Sequence, residues 1–426
     1  MHFKFFEDLR QLQQPRVLAT RIRRLFVARY KNIVTLMLWL YVFNRLYNVI
    51  NDPSNRNAPL RGWDRETPRS IADYLDPAKD TAILVPREFC RSKAFLTIAV
   101  CSDVKNFERR RVIRSLWGNS SDFNYSTFVK LHGHLEGHYL NVLPDRVKLY
   151  AEYLSGKGDS LKASIRIVFI VGRKDLSSLL ENEAVAKEAE KYNDIIQENF
   201  MDTYNNLTIK TVMAMKHISQ SCLNTTAYYF KCDDDTFVNV PNVLHFLLGG
   251  TIPVNKITAN YHYANTYKVT LPIKRLTART EVMYGRQYCN VPPLTNKLNK
   301  WYMPSYLFRG GVYPNYLCGS GYLLSIDVVP RLYKAALGTK MFHLEDLFVT
   351  GLCAEKAGIK RTNHPLFMSL FPNDENRMCT VKGCFTVHRA KDNLMWDAWY
   401  DVNNYSVKCL PPKKNFQSKL PKKQRC

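Results

Sequence analysis

Residues 228–238 constrain the chain most. An aromatic, apolar run of strand character (Tyr228, Tyr229, Phe230, Lys231, Cys232) meets three consecutive carboxylates, Asp233, Asp234 and Asp235. Thr236, Phe237 and Val238 then resume the apolar pattern. Adjacent like charges repel, and Asp is depleted in strands. A cation at this tip resolves the conflict, and hard divalent ions take oxygen ligands. The carboxyl end of a strand is also where open α/β sheets bind their ligands. A solvated acidic turn or a helix cap carries the same local signature, so the triplet alone does not decide.

Further strand-like runs occur at Phe95–Cys101, Ile165–Val171 and Gly321–Ile326, beside Ala227–Cys232. Between the second run and the triplet, Val185, Ala189, Tyr192 and Ile196 share one helical face, as do Thr211, Ala214, Met215 and Ile218. Strands alternating with helices predict a mainly parallel sheet covered on both sides, an α/β fold beginning near residue 93.

The formal charge of +24 raises the question of nucleic acid. Residues 1–32 carry eight Lys/Arg against Glu7 and Asp8, and residues 408–426 carry seven with no acid, so more than half of the excess lies at the two ends. A nucleic-acid binder interleaves aromatics with Lys and Arg across its folded part. This distribution instead suits a small anionic substrate, and no nucleic-acid partner is expected.

The basic segment 1–32 precedes an apolar run, Ile33 to Phe43, which Leu46, Tyr47, Val49 and Ile50 extend past Asn44 and Arg45. The pattern predicts a signal anchor over 33–50 with a cytoplasmic N-terminus, provided that Arg45 snorkels or faces a partner. Residues 51–92, with Pro53, Pro59, Pro68, Pro77 and Pro86, read as a stem or interdomain tether. The expected layout is a basic tail (1–32), an anchor (33–50), a stem (51–92), a folded domain (93–407) and a basic disordered tail (408–426). Sequons at Asn119, Asn124, Asn206, Asn224 and Asn404 favour the secretory lumen, and eleven cysteines are many for a reduced compartment.

Four segments flank the triplet. Arg109, Arg110, Arg111 and Arg114 follow the first strand, where they clamp a phosphate or line a solvated helix face. Lys210 opens a helix leading back to the triplet strand, as a phosphate contact, a partner for an Asp or a surface lysine. Tyr313 to Tyr322, with Gly319 and Gly321, forms a tight turn or lets a backbone approach a ligand closely. Glu345 and Asp346 sit in an apolar frame, as a carboxylate of raised pKa suited to general base work or as a helix N-terminus. His388 follows the short stretch between Cys379 and Cys384, as a core histidine or as one imidazole in an oxygen-rich metal site.

Taken in order, the segments around Arg114–Trp117, Asp202–Thr211, Tyr228–Val240, Tyr313–Ser325 and Leu344–Gly351 resemble the β-1,3-galactosyltransferase family (glycosyltransferase family 31), which groups Golgi hexosyl- and N-acetylhexosaminyltransferases. The resemblance covers roughly residues 93–390. It implies a single-domain GT-A-type fold, a Rossmann-like mixed sheet flanked by helices, on a type II anchor and stem. It also implies a Mn²⁺ or Mg²⁺ site bridging the diphosphate of a UDP-sugar. Asp235 would then be a direct metal ligand, with Asp233 on the ribose or uracil side or as a further ligand, and Asp234 beside them in the donor site. His388 would complete the metal site, Asp346 would be the base with Glu345 as second candidate, and Arg110, Arg114 and Lys210 would lie near the donor nucleotide. Two positions depart from the family: Leu116 stands where a Thr is usual, and Leu317 stands where many members have Cys, with Cys318 next.

The implied reaction is inverting transfer of galactose from UDP-galactose to a hydroxyl of an oligosaccharide on a glycolipid or glycoprotein, at the Golgi membrane. The alternatives are the same transfer with UDP-N-acetylglucosamine and a non-catalytic glycan-binding relative.

Overall fold

The computed structural model describes residues 15–51, 58–119, 122–174, 179–253, 275–372, 377–391 and 393–410. The basic segment 1–14 and the tail 411–426, with Cys426, lie outside the described residues. The chain divides into two compact units, Met1–Leu60 with Leu294–Arg309, and Arg61–Pro293 with Gly310–Cys426.

The first unit contains the helix Pro15–Asn51, on which Leu36, Met37, Trp39, Leu40 and Phe43 are exposed. No helix among the described residues is long and apolar enough to cross a membrane. Asn44 and Arg45 interrupt the apolar run, and Arg45 Nε donates back to Tyr41 Oη at 3.2 Å. Within the same unit, Tyr302 donates to the Ala58 carbonyl at 3.1 Å and the Leu60 amide donates to Tyr306 at 3.0 Å.

The second unit is a mixed α/β structure, a central sheet flanked by helices. In chain order its strands are β1 (Ala82–Leu84), β2 (Ala94–Cys101), β3 (Asp122–Asn124), β4 (Leu154–Ser155), β5 (Lys162–Arg173), β6 (Ile195–Met201) and β7 (Thr226–Asp233). They continue with β8 (Thr236–Val238), β9 (Met283–Tyr288), β10 (Tyr316–Ser325), β11 (Thr362–Asn363), β12 (Phe367–Met368) and β13 (Thr386–His388). The main sheet runs β1-β6-β5-β2-β7-β10-β9-β11, with β3 and β4 added on β5. β6, β5, β2 and β7 are parallel, whereas β10 and β9 continue antiparallel. Parallel neighbours need helical crossovers that cover the sheet. Hence all eight residues of β2 are buried, and the strand reads as an unbroken apolar run. The helix Leu207–Ser221, between β6 and β7, is buried from Thr208 through Ile218 and packs on the helix Val328–Leu337. A separate small sheet, β12-β13-β8, closes on the end of β7.

Two expectations meet a different structure. Residues 61–92 are not a free tether: Trp63, Ile71, Leu75 and Cys90 are buried, Trp63 Nε1 donates to the Asn205 carbonyl at 2.8 Å, and β1 pairs antiparallel with β6. Proline fixes φ and bars helix, yet the apolar side chains between prolines still dock. Ile196, assigned to a helical face by its spacing, lies in β6 instead. The helix Leu179–Tyr192 stops at Asn193, whose φ of 53° is the left-handed value that ends helices.

Cys90 is disulfide-bonded to Cys222, and Cys379 to Cys409 rather than to Cys384. Cys101, Cys232, Cys353 and Cys384 are buried thiols, and Cys318 is a partly exposed one.

Candidate active site

The last residue of β7 is Asp233, and Asp234 with Asp235 forms the turn into β8. The three acids have separate roles. Asp234 is buried and accepts from Ser102 Oγ at 2.7 Å, Asn106 Nδ2 at 2.7 Å and the Arg109 guanidinium at 3.0 Å. It fastens the turn to the loop that follows β2. Asp233 and Asp235 instead share a space with His388, the three offering ligand atoms within 4.8 Å of one another. The pairing of β13 with β8, His388 opposite Thr236, brings this distant histidine to the tip. The chain then turns through Arg389, at a left-handed φ of 63°, so that the Ala390 amide donates to the Asp235 carbonyl at 2.8 Å.

These residues fit a divalent cation by their chemistry. His388 Nδ1 lies 3.2 Å from the Ser369 carbonyl. A carbonyl only accepts, so Nδ1 carries the proton, and in the neutral ring Nε2 has a free lone pair. That nitrogen faces Asp235 Oδ1 at 3.2 Å, an approach of two lone pairs that needs a proton or a metal between them. Two carboxylates and one imidazole suit Mn²⁺ or Mg²⁺ better than a thiophilic metal. Burial raises the Asp235 carboxyl, but His388, Lys391 and Arg109 together outweigh it and hold Asp235 below the usual carboxylate range.

Glu345 and Asp346 reach the same region across β10. Gly319 makes this possible: a Cβ there would lie 3.0 Å from Glu345 Oε2 and 3.1 Å from the Asp346 Cβ. Asp346 Oδ2 accepts from the Gly319 amide at 3.2 Å, and Oδ1 from the Leu347 amide at 2.9 Å. The residue thus caps the π-helical turn Leu347–Cys353, which Thr350 staples to β10 through Leu317. π-helical insertions recur at functional sites. Burial raises the Asp346 carboxyl more than these two amides lower it. Glu345 is buried and accepts from Tyr322 Oη at 2.8 Å. Burial, reinforced by Asp346 and Asp233, pushes it up to about 7 against the pull of Lys231 and Tyr322. The better exposed of the two acids is Asp346.

Lys231 joins the halves. Its Nζ lies 2.7 Å from Asp233 Oδ1 and 3.2 Å from Glu345 Oε2. Burial alone would favour the neutral amine, but Asp233 and Glu345 hold it charged, well above its ordinary value. Sequence analysis passed over this residue. Its signal is a cation inside an apolar strand, which demands buried acids as partners.

The three cations expected near a nucleotide take protein partners. Arg110 is fully buried, with paired bonds to Glu188 at 3.0 and 2.7 Å and one to Ser102 Oγ at 3.0 Å. Arg114 pairs with Asp194 at 2.7 Å and Glu188 at 2.6 Å and lies over the Tyr192 ring. Lys210 is buried against Asp202 at 2.6 Å, whose other oxygen holds the amides of Val104 and Gly172. These bonds shape the carboxyl ends of β2 and β5. The cations beside the acidic tip are Arg109 and, 4.0 Å from Asp235, the half-exposed Lys391. Sequence reasoning singled out neither for the donor site, since nothing local separates Arg109 from its neighbours.

Comparison with known proteins agrees with this geometry. The galactosyltransferase family profile matches residues 154–275 and 262–365, a span that includes the acidic tip, Gly319 and the Glu345–Asp346 pair. Beta-1,3-galactosyltransferase 1 of Mus musculus and of Homo sapiens is 29% identical over 321 residues, 75% of this chain and 77% of the relative. N-acetyllactosaminide beta-1,3-N-acetylglucosaminyltransferase 2 of Homo sapiens is 26% identical over 345 residues, 79% of this chain and 70% of the relative. The chain is a glycosyltransferase related to the galactosyltransferase family.

Proposed function

We propose that the protein is an inverting, metal-dependent β-1,3-hexosyltransferase of GT-A type that moves galactose from UDP-galactose to a hydroxyl of a glycan acceptor. The observation that carries this is the convergence of Asp233, Asp235 and His388 on one side of Lys231 and Glu345–Asp346 on the other. The first group suits a cation that binds a diphosphate, and the second supplies a base. A divalent ion held by Asp235, His388 and Asp233 would act as a Lewis acid toward the departing diphosphate. Asp346 would accept the proton of the acceptor hydroxyl as its oxygen bonds the anomeric carbon, while the bond from that carbon to the diphosphate oxygen breaks. Attack opposite the α-linked leaving group gives the β linkage in one step, without a covalent nucleophile on the protein. Arg109 and Lys391 stand where they would neutralise the same diphosphate. Arg110, Arg114 and Lys210 would serve the donor site through the loops they hold.

Transfer from UDP-N-acetylglucosamine is the second reading, because relatives named for both donors match over similar lengths. For location, we propose a luminal Golgi domain on a type II anchor at 33–50. The exposed apolar side chains of the N-terminal helix, the basic residues before them and the sequons support it.

The test is UDP release from a panel of UDP-sugars, with and without Mn²⁺, against glycan acceptors. Acceptor-dependent release with UDP-galactose is expected. Asp346→Asn should reduce it at least about 100-fold, in the range of lost general base catalysis, while Mn²⁺-dependent UDP binding persists. UDP and glycan binding without any turnover in the wild type would identify a non-catalytic relative.

A further inference from the structure

We infer that Lys231 is a positioning residue that holds the metal carboxylate and the catalytic base in one register, an assignment that rests on the transferase reading above. Lys231 and Asp233 are two apart on β7, so both project from the same face of the strand. The ammonium is completely buried and has three acceptors, Asp233 Oδ1 at 2.7 Å, the Gly319 carbonyl at 2.7 Å and Glu345 Oε2 at 3.2 Å. Three N–H groups meet three oxygens. With no donor left for a substrate, Lys231 acts through its neighbours.

Its reach to the base runs through Gly319. The carbonyl of that residue receives Lys231, and its amide donates to Asp346 Oδ2 at 3.2 Å. A second route runs through β10, where Tyr322 pairs with Lys231 across the strands and donates to Glu345 Oε1 at 2.8 Å. Glu345 thus receives both Lys231 and Tyr322 and presents no free face, which assigns it to positioning as well. A plain counter-charge would need only one of these contacts. The three together orient Asp233 toward the cation and fix the backbone on which Asp346 rests.

The test compares the wild type, Lys231→Met and the double variant Lys231→Met/Glu345→Gln, in which the buried charge is removed together with its partner. Mn²⁺ binding is read by electron paramagnetic resonance without donor or acceptor, and transfer by kcat and acceptor KM. Supporting partners of metal ligands are worth about 10–100-fold in affinity or activity. Losses of about that size in Mn²⁺ affinity and in kcat are expected for both variants, with a smaller change in KM. The double variant should melt cooperatively yet recover neither quantity. Wild-type Mn²⁺ affinity and kcat in the double variant would overturn the inference, reducing Lys231 to charge balance. A double variant that fails to fold overturns it too, because Lys231 would then be a requirement of the core. A wild type that binds Mn²⁺ but transfers no sugar defeats the transferase reading instead, and the metal measurements still test Lys231.

Discussion

At the scale of single residues, the site is built by giving adjacent acids unlike surroundings. Asp234 is consumed by Ser102, Asn106 and Arg109, and this leaves Asp233 and Asp235 for a cation. Glu345 and Asp346 divide similarly into an inner carboxyl held by Tyr322 and Lys231 and an outer one held by two amides. The inner acid has a measurable signature. Its value is raised from 4.5 to about 7, so its contribution to stability is present below about pH 4.5 and is lost as the pH climbs to about 7. Glu345→Gln cannot titrate. Unfolding measured across that window should show the variant gaining on the wild type as the pH rises, and parallel curves would contradict the assignment. The triplet was legible because its charges conflict with the strand around it. Lys231 was not, because a lysine reads as a surface residue until its partners are known. Arg110 and Arg114 carry the same ambiguity, and only the fold shows Glu188 and Asp194 facing them.

At the scale of elements, β8 and β13 matter out of proportion to their length, since three residues on each carry the histidine to the acids. Periodicity does not reveal so short a pairing, and only the family resemblance linked His388 to the triplet. The buried strands β2, β5 and β7 were legible for the opposite reason: cover on both faces leaves nearly continuous apolar runs. β6 was not, because Ile195 and Ile196 continue the spacing of the preceding helix. The Cys379–Cys409 bridge supports the β13 region by closing a separation of 30 residues. On the chain-entropy account, such a loop contributes about 3–4 kcal/mol. Cys379→Ser should lower the denaturant midpoint accordingly and weaken Mn²⁺ binding through β13. An unchanged midpoint would show that the bridge is dispensable.

At the scale of the whole molecule, the boundary between appendage and folded domain falls earlier than proline content suggested. The second unit begins at Arg61, and its first residues pack against the helix and strands that follow. Composition could not show this, because linkers and packed straps use the same prolines. The basic ends follow a simpler rule, with charge concentrated outside the folded domain. If the apolar helix anchors the protein in a bilayer, the full chain should stay with membranes through high salt and alkaline carbonate and leave with detergent. Release by salt alone would mean that the basic residues hold it at the surface electrostatically.

The most direct measurement is a calorimetric titration of UDP into the full-length protein, with Mn²⁺ and then with the metal chelated, for the wild type and Asp235→Ala. UDP should bind the wild type with Mn²⁺ and lose at least about tenfold in affinity on chelation, and Asp235→Ala should show the weak affinity in both conditions. Equal UDP affinity with and without the metal, or an Asp235→Ala variant that keeps the metal-dependent gain, would contradict a divalent site at Asp233, Asp235 and His388.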